Sequence, residues 1–243
     1  MQKILLKHND IDFKSKEAYK TLRTNIEFSG ENLKVIFLTS CAPNDGKSTV
    51  AYELAKSYAE NGMKTLLIDA DLRKSVMRGR VRKVMDGSVL CGLTNYLVGQ
   101  VNYDEIVCES DLPDLSLIFA GPVPPNPSEL LGNSKFTSMI EGLRGLYDII
   151  LIDTPPIGSV IDAAVVSKSC DGGILVIGCG SISYRFARKM KEQLERTGCK
   201  IIGCVLNKVN MNGKGYYGKY YKNYYGNYYG RYYGDNSGND SRT

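Results

Sequence analysis

The chain predicts an α/β fold: a mostly parallel sheet flanked by helices. Short apolar runs close on turn-forming residues over 34–39, 65–70 and 148–153, without the polar alternation of a strand that faces water. Segments with helical spacing of apolar residues alternate with these runs, and such alternation builds a parallel sheet covered on both faces. The composition, 43% hydrophobic and 23% charged over 243 residues, is that of an ordinary globular protein able to bury a sizeable core.

Residues 1–15 read as a loose lead-in. A helix is predicted over 16–28, capped by Ser15, with Ala18, Leu22 and Ile26 on one face. A buried strand follows at 34–39, then a helix at 47–61 that carries Val50, Ala51, Leu54, Ala55 and Tyr58 inward and stops at Gly62. Thr65-Leu-Leu-Ile-Asp-Ala is the next buried strand. Further strands are predicted at 115–119, 148–152, 173–178 and 201–206, and helices at 127–145, 160–169 and 183–197. From 212 onward there is no Ala, Val, Ile, Leu, Met, Phe or Cys. Tyr-Tyr pairs recur there every four residues: Tyr216 and Tyr217, Tyr220 and Tyr221, Tyr224 and Tyr225, Tyr228 and Tyr229, Tyr232 and Tyr233. Such a segment cannot bury an aliphatic core and is expected to be mobile. The expected organisation is one nucleotide-binding domain over 1–211 and a tyrosine-rich tail over 212–243.

Charge and cysteine usage exclude several functions. Of the net charge of +5, the tail carries +3, so the body lacks the surplus of a nucleic-acid platform. The seven cysteines contain no Cys-x-x-Cys, and His8 is the only histidine, which excludes a structural zinc site and His-dependent nucleophilic catalysis. Cys170, Cys179 and Cys204 lie in apolar segments and read as small core residues. Scattered thiols fit a reducing cytosol. The first residues show no apolar signal core, and the longest uncharged run, 87–103, is interrupted by Gly92, Thr94, Asn95, Gly99 and Gln100. No membrane span is expected, and any membrane role is expected to come through a partner.

After the first buried strand comes Thr39-Ser-Cys-Ala-Pro-Asn-Asp-Gly-Lys-Ser-Thr49, followed by a helix. Gly46-Lys47-Ser48 between a strand and a helix is the phosphate-binding loop. Backbone N–H groups at the helix start cradle phosphates, Lys47 adds a point charge, and Ser48 offers its hydroxyl to Mg²⁺. Cys41 stands where the general motif has its first Gly. Two more segments reinforce the reading. Asp69 and Asp71 close the strand 65–70, and Asp153 closes the strand 148–153. Ligands of open α/β sheets bind at the carboxyl ends of strands, where three convergent carboxylates can hold Mg²⁺ and accept a proton.

The motif set resembles the bacterial tyrosine kinases of capsular and extracellular polysaccharide synthesis, in the form without a fused membrane segment. The resemblance covers roughly residues 15–233. It rests on the segment Glu17-Ala-Tyr-Lys-Thr-Leu-Arg-Thr-Asn25, the loop Pro43-Asn-Asp-Gly-Lys-Ser48, Leu67-Ile-Asp-Ala-Asp-Leu-Arg73, Gly121-Pro-Val-Pro-Pro-Asn-Pro-Ser-Glu-Leu-Leu131, Ile150-Leu-Ile-Asp-Thr-Pro-Pro156 and the tail tyrosines. It implies a P-loop NTPase fold and an ATP-dependent kinase that phosphorylates its own tail tyrosines, mainly between subunits. Asn44, Asp45, Gly46, Lys47, Ser48 and Thr49 would bind the nucleotide, and Asn207 would contact adenine. Ser48, Asp71 and Asp153 would surround Mg²⁺, while Asp69 would orient the tyrosine hydroxyl and take its proton. It further implies a homo-oligomeric ring, an activating membrane copolymerase acting in trans at the inner face of the cell membrane, and a cognate phosphatase.

The chain departs from the family pattern in two places. The loop's usual Pro-Gly-Glu-Gly is here Pro43-Asn44-Asp45-Gly46, which Asn tolerates because it adopts positive φ more readily than other residues with a side chain. The oligomerisation signature carries Lys20 between Glu17 and Arg23, where the family has Arg; Lys keeps the charge without the bidentate fork. Arg73, Lys74, Arg78, Arg80, Arg82 and Lys83 place six cations in eleven residues, read as a solvated loop or as a site for an acidic partner or anionic lipid. Two other functions remain open at this point: a partitioning-type ATPase switch, and a non-enzymatic regulator gated by ATP.

Overall fold

The computed structural model describes residues 1–7 and 11–210. The chain divides into two units, Met1–Asn207 and Lys208–Thr243. The expected boundary at 211/212 and the ten tail tyrosines lie outside the described residues, as does His8.

The strands are β1 (Gln2–Leu6), β2 (Val35–Ser40), β3 (Thr65–Asp69), β4 (Val81–Val84), β5 (Val107–Ser110), β6 (Leu115–Ile118), β7 (Ile149–Asp153), β8 (Gly172–Gly178) and β9 (Ile201–Asn207). They form one sheet in the order β4-β1-β5-β6-β3-β7-β2-β8-β9. The run from β6 to β9 is parallel throughout, and the β4–β1 and β5–β6 pairs are antiparallel. β2, β3 and β7 are buried along their whole length, which is why they read as continuous apolar runs.

The helices are α1 (Phe13–Glu27), α2 (Lys47–Ala59), α3 (Leu93–Leu97), α4 (Tyr103–Ile106), α5 (Pro127–Leu131), α6 (Ser134–Arg144), α7 (Asp162–Val166) and α8 (Tyr184–Glu195). Alternate residues of each central strand serve opposite layers. Ile36, Leu38, Leu67 and Leu151 pack with Val50, Leu54 and Tyr58 of α2 and Ile26 of α1. Val35, Phe37, Ile68 and Ile152 pack with Phe136 and Ile140 of α6, Val166 of α7 and Leu194 of α8.

Several local expectations are corrected. Asp12, not Ser15, caps α1: its carboxylate accepts from the Ser15 N–H at 3.0 Å and from the Ser15 hydroxyl at 2.8 Å. The single helix expected at 127–145 is two, because Asn133 turns out of the helical path and caps α6 by accepting from the Phe136 N–H at 2.9 Å. The start of the chain is not the loose lead-in expected over 1–15, since Gln2–Leu6 form β1, which pairs with β4 and β5. Cys179 and Cys204 are exposed and Cys170 is half-buried; Cys204 lies on the edge strand β9. Among the described residues no helix is long and apolar enough to cross a membrane.

Candidate nucleotide and phosphoryl-transfer site

The carboxyl ends of β3, β7 and β2 lie side by side, and the loop from β2 to α2 leaves the sheet at that end. Asn44 (φ 65°) and Gly46 (φ 89°) both adopt the left-handed conformation, so the Asn in place of the family's Gly takes the strained position directly. One internal bond and two outside segments hold the loop. The buried Asp45 accepts from the Ala42 N–H at 3.1 Å. Asn207, at the end of β9, donates its side-chain N–H to the Asp45 carbonyl at 2.9 Å. Gly158 lies so close that a Cβ there would meet the Cys41 carbonyl oxygen at 2.3 Å. Gly46 is the N-cap of α2 and provides no side-chain cap, so the first backbone N–H groups of this helix are oriented for an anion.

Lys47 reaches across to the carboxylates. Its Nζ stands 3.1 Å from Asp71 Oδ2, 3.8 Å from Asp153 Oδ1 and 3.2 Å from Ser48 Oγ. Burial works to lower the Lys47 pKa, but the charges of Asp153 and Asp71 outweigh it and hold the ammonium protonated. Asp69 and Asp153 are register partners on β3 and β7 and are almost fully buried. Burial pushes both carboxyls well above the ordinary carboxylate range; for Asp69 the neighbouring Asp153 charge adds to the rise, whereas Lys47 and Ser48 restrain Asp153. Asp69 Oδ2 accepts from the Ser75 hydroxyl, and its Oδ1 accepts from the Asp71 N–H at 3.2 Å. Asp71 Oδ1 accepts from the Lys74 N–H at 3.0 Å.

Asp153 Oδ1 is buried and has no hydrogen-bond partner among the described residues. Among those residues no group of three or more His, Cys, Asp or Glu side chains is placed to hold a metal ion by itself. A bare carboxylate oxygen beside Ser48 and an uncapped helix start fits Mg²⁺ held with a polyphosphate, since that ion is commonly bound by one or two carboxylates with phosphate oxygens.

The remaining sequence candidates fall elsewhere. Arg80 lies 4.2 Å over the Tyr52 ring and donates to Thr49 Oγ1 at 3.1 Å, so one cation of the basic segment borders the nucleotide loop. Arg73 is drawn to the buried Asp162, whereas Lys74, Arg78, Arg82 and Lys83 are exposed. Lys20 pairs with Glu17 at 2.7 Å along α1, and Arg23 turns inward to donate to the Ser57 carbonyl on α2. Sequence reasoning assigned no role to Ser75, which meets Asp69 from six residues along the same segment, nor to Ser128, Gly158 and Asp162, which tertiary packing brings to the site.

Comparison with known proteins shows the family and the fold. A family model described as an AAA domain matches residues 34–197. The tyrosine-protein kinase CpsD of Streptococcus agalactiae serotype III is 47% identical over 197 residues, covering 81% of this chain and 84% of that protein. CpsD of Streptococcus pneumoniae is 43% identical over 207 residues, covering 84% and 90%. The kinase domain of the Escherichia coli tyrosine kinase ETK superposes with a TM-score of 0.77 at 31% identity, over 87% of this chain and 86% of that one. The septum site-determining protein MinD from Pyrococcus horikoshii, complexed with Mg-ADP, has a TM-score of 0.61 at 24% identity over 76% and 72%, a likeness of fold.

Proposed function

The chain belongs to the bacterial tyrosine-protein kinases, and on that premise we propose that it transfers the γ-phosphoryl group of Mg²⁺-ATP to the tyrosines of its own tail, Tyr216 to Tyr233, mainly between subunits. The observation that carries this reading is Lys47, held between Asp71 at 3.1 Å and Asp153 at 3.8 Å at the mouth of the phosphate loop. Phosphoryl transfer depends on positioning and charge neutralisation more than on covalent chemistry.

Residues Asn44 to Thr49 bind the phosphates through backbone N–H groups, and Lys47 neutralises charge on the outer phosphates as it develops. Ser48, Asp71 and Asp153 would hold Mg²⁺, which would supply further charge neutralisation there. Asp69, with its carboxyl pushed up by burial, takes the proton of the incoming tyrosine hydroxyl. Asn207 borders the base while its amide steadies the loop. Glu17, Lys20 and Arg23 contribute to a homo-oligomeric ring. An adaptor, the cytosolic end of a membrane polysaccharide copolymerase, recruits the kinase to the inner face of the membrane and activates it. A cognate phosphatase resets the tail, and the cycle regulates capsular or extracellular polysaccharide synthesis and export.

The test is to incubate purified protein with Mg²⁺-ATP and locate the phosphate. Phosphate on tail tyrosines, including those of a Lys47→Met chain mixed with an active tail-less chain, supports the reading. Phosphate released only to water favours an ATPase switch, and no turnover with retained ATP binding favours a non-enzymatic regulator.

A further inference from the structure

Asp162 opens α7, shortly after the Asp153-Thr-Pro-Pro segment, and its side chain is 0% exposed. Arg73 grips it with two parallel bonds: Nε to Oδ2 at 2.8 Å and Nη2 to Oδ1 at 3.0 Å. Ser128, on α5, closes a triangle. Its hydroxyl donates to Asp162 Oδ1 at 2.5 Å and accepts from Arg73 Nη2 at 3.0 Å. Three chain segments distant in sequence meet at this point: the loop after β3, the start of α5, and α7 beyond β7.

Arg73 stands beside Lys74, whose N–H fixes Asp71 Oδ1, and two residues before Ser75, whose hydroxyl fixes Asp69. The loop after β3 therefore carries Asp71 and the two groups that orient Asp71 and the strand-end Asp69. A bidentate guanidinium–carboxylate pair restricts both distance and angle, which a single-point contact does not.

We infer that the Arg73–Asp162 ion pair, bridged by Ser128, is a positioning device that locks the loop that carries Asp71 and holds Asp69 through Ser75 against the segment following Asp153. One arginine of the basic segment is thereby assigned to the geometry of transfer rather than to an acidic partner or a lipid surface. The reading rests on the kinase assignment proposed above, because the loop matters to the rate only if its carboxylates serve the transfer.

The test compares Arg73→Lys, Ser128→Ala and the double variant Arg73→Ala/Asp162→Asn, which removes both charges and leaves no orphaned carboxylate in the core. Arg188→Ala, which breaks an exposed pair with Glu192 on α8, is the control. The readouts are kcat and KM for ATP, the thermal midpoint, and backbone hydrogen exchange of the nucleotide-free protein. The double variant should lower kcat at least about tenfold with KM changed less than about threefold, as for an interaction made in the transition state. Exchange over residues 70–75 should accelerate while β2 and β7 keep their protection. Arg73→Lys should recover part of kcat and Ser128→Ala should fall between. Unchanged exchange over 70–75, or a kcat loss matched by Arg188→Ala, overturns the inference. A kcat loss explained by the unfolded fraction overturns it as well. If the wild-type protein labels no tyrosine yet the exchange pattern changes as expected, the kinase reading fails and the locking contact stands.

Discussion

Asp69 and Asp153 face each other as register partners at the carboxyl ends of two adjacent buried strands, β3 and β7. Two carboxylates in that arrangement cost stability whenever both are ionised. Asp69→Asn should therefore stabilise the metal-free protein while reducing tyrosine transfer by about 10²–10⁴, the usual contribution of a general base. The sign follows from burial, assisted by Asp153, raising the folded-state Asp69 pKa. The unfolded state loses its proton near pH 4, so wild-type stability falls as pH rises from about 4 through the raised folded value. Thermal melts in EDTA should show the Asn variant gaining over wild type across that window, with little difference below it. A variant that melts lower than wild type at pH 8 contradicts the prediction.

Lys47→Met should reverse that balance. It removes the cation that compensates Asp71 and Asp153, so the metal-free fold should melt lower at neutral pH and recover toward wild type in acid. Transfer should fall by about 10²–10³, the cost of deleting a preorganised transition-state donor, and labelling above about a tenth of wild type by anti-phosphotyrosine signal is the contrary result.

Gly158→Ala should damage the nucleotide loop from outside it. The added Cβ would sit 2.3 Å from the Cys41 carbonyl oxygen, a backbone atom that must shift. Overpacking of this kind costs about 1–3 kcal/mol, and here it should also raise KM for ATP. Gly142→Ala, on the exposed face of α6 with nothing within 4 Å of the new Cβ, should instead stabilise by about 0.5–1 kcal/mol. Denaturant titration of both variants, with ATP titration of the first, checks the contrast.

Asp171→Asn should destabilise more at neutral pH than in acid. Asp171 Oδ2 accepts from the N–H groups of Lys34 at 2.9 Å and Val35 at 2.7 Å and from Arg144 Nη1 at 2.9 Å, joining the starts of β2 and β8 to α6. Burial tends to raise its pKa, but the Arg144 guanidinium and the two backbone donors outweigh burial and lower it. That stabilisation is present above about pH 4 and disappears as pH falls through the depressed folded-state value. The loss at pH 7 should be about 1 kcal/mol, the low end for a hydrogen bond to a charged group, because Asp171 is only half-buried and water screens its pair with Arg144. Urea unfolding at pH 7 and pH 3 measures the difference, and an equal loss at both values contradicts it.

The central sheet was legible in the sequence because β2, β3 and β7 are buried on both faces and so appear as unbroken apolar runs. The far edge was not. β4 is Val-Arg-Lys-Val, with its two middle residues exposed, and β1 and β5 are short and part polar, so neither apolar run nor alternation marks them. Their pairing is set by long-range register, Leu5 with Lys83 and Gln2 with Cys108, which no local window contains. The break in the helix expected at 127–145 depends on Asn133 serving as a cap, a role that its residue type allows but does not require.

By itself the sequence determined the parallel core, the strand–loop–helix around Gly46-Lys47-Ser48, and the three strand-end carboxylates, because hydrophobic runs, turn chemistry and motif spacing are local properties. Only the tertiary structure decided which groups those carboxylates meet. Asp69 and Asp153 become neighbours because β3 pairs directly with β7, 84 residues further along the chain at that register. Lys47 reaches Asp71, and Arg73 reaches Asp162, because the sheet order folds their segments together. Contacts of that range depend on which buried faces pack against one another, and packing is a property of the whole chain rather than of any segment.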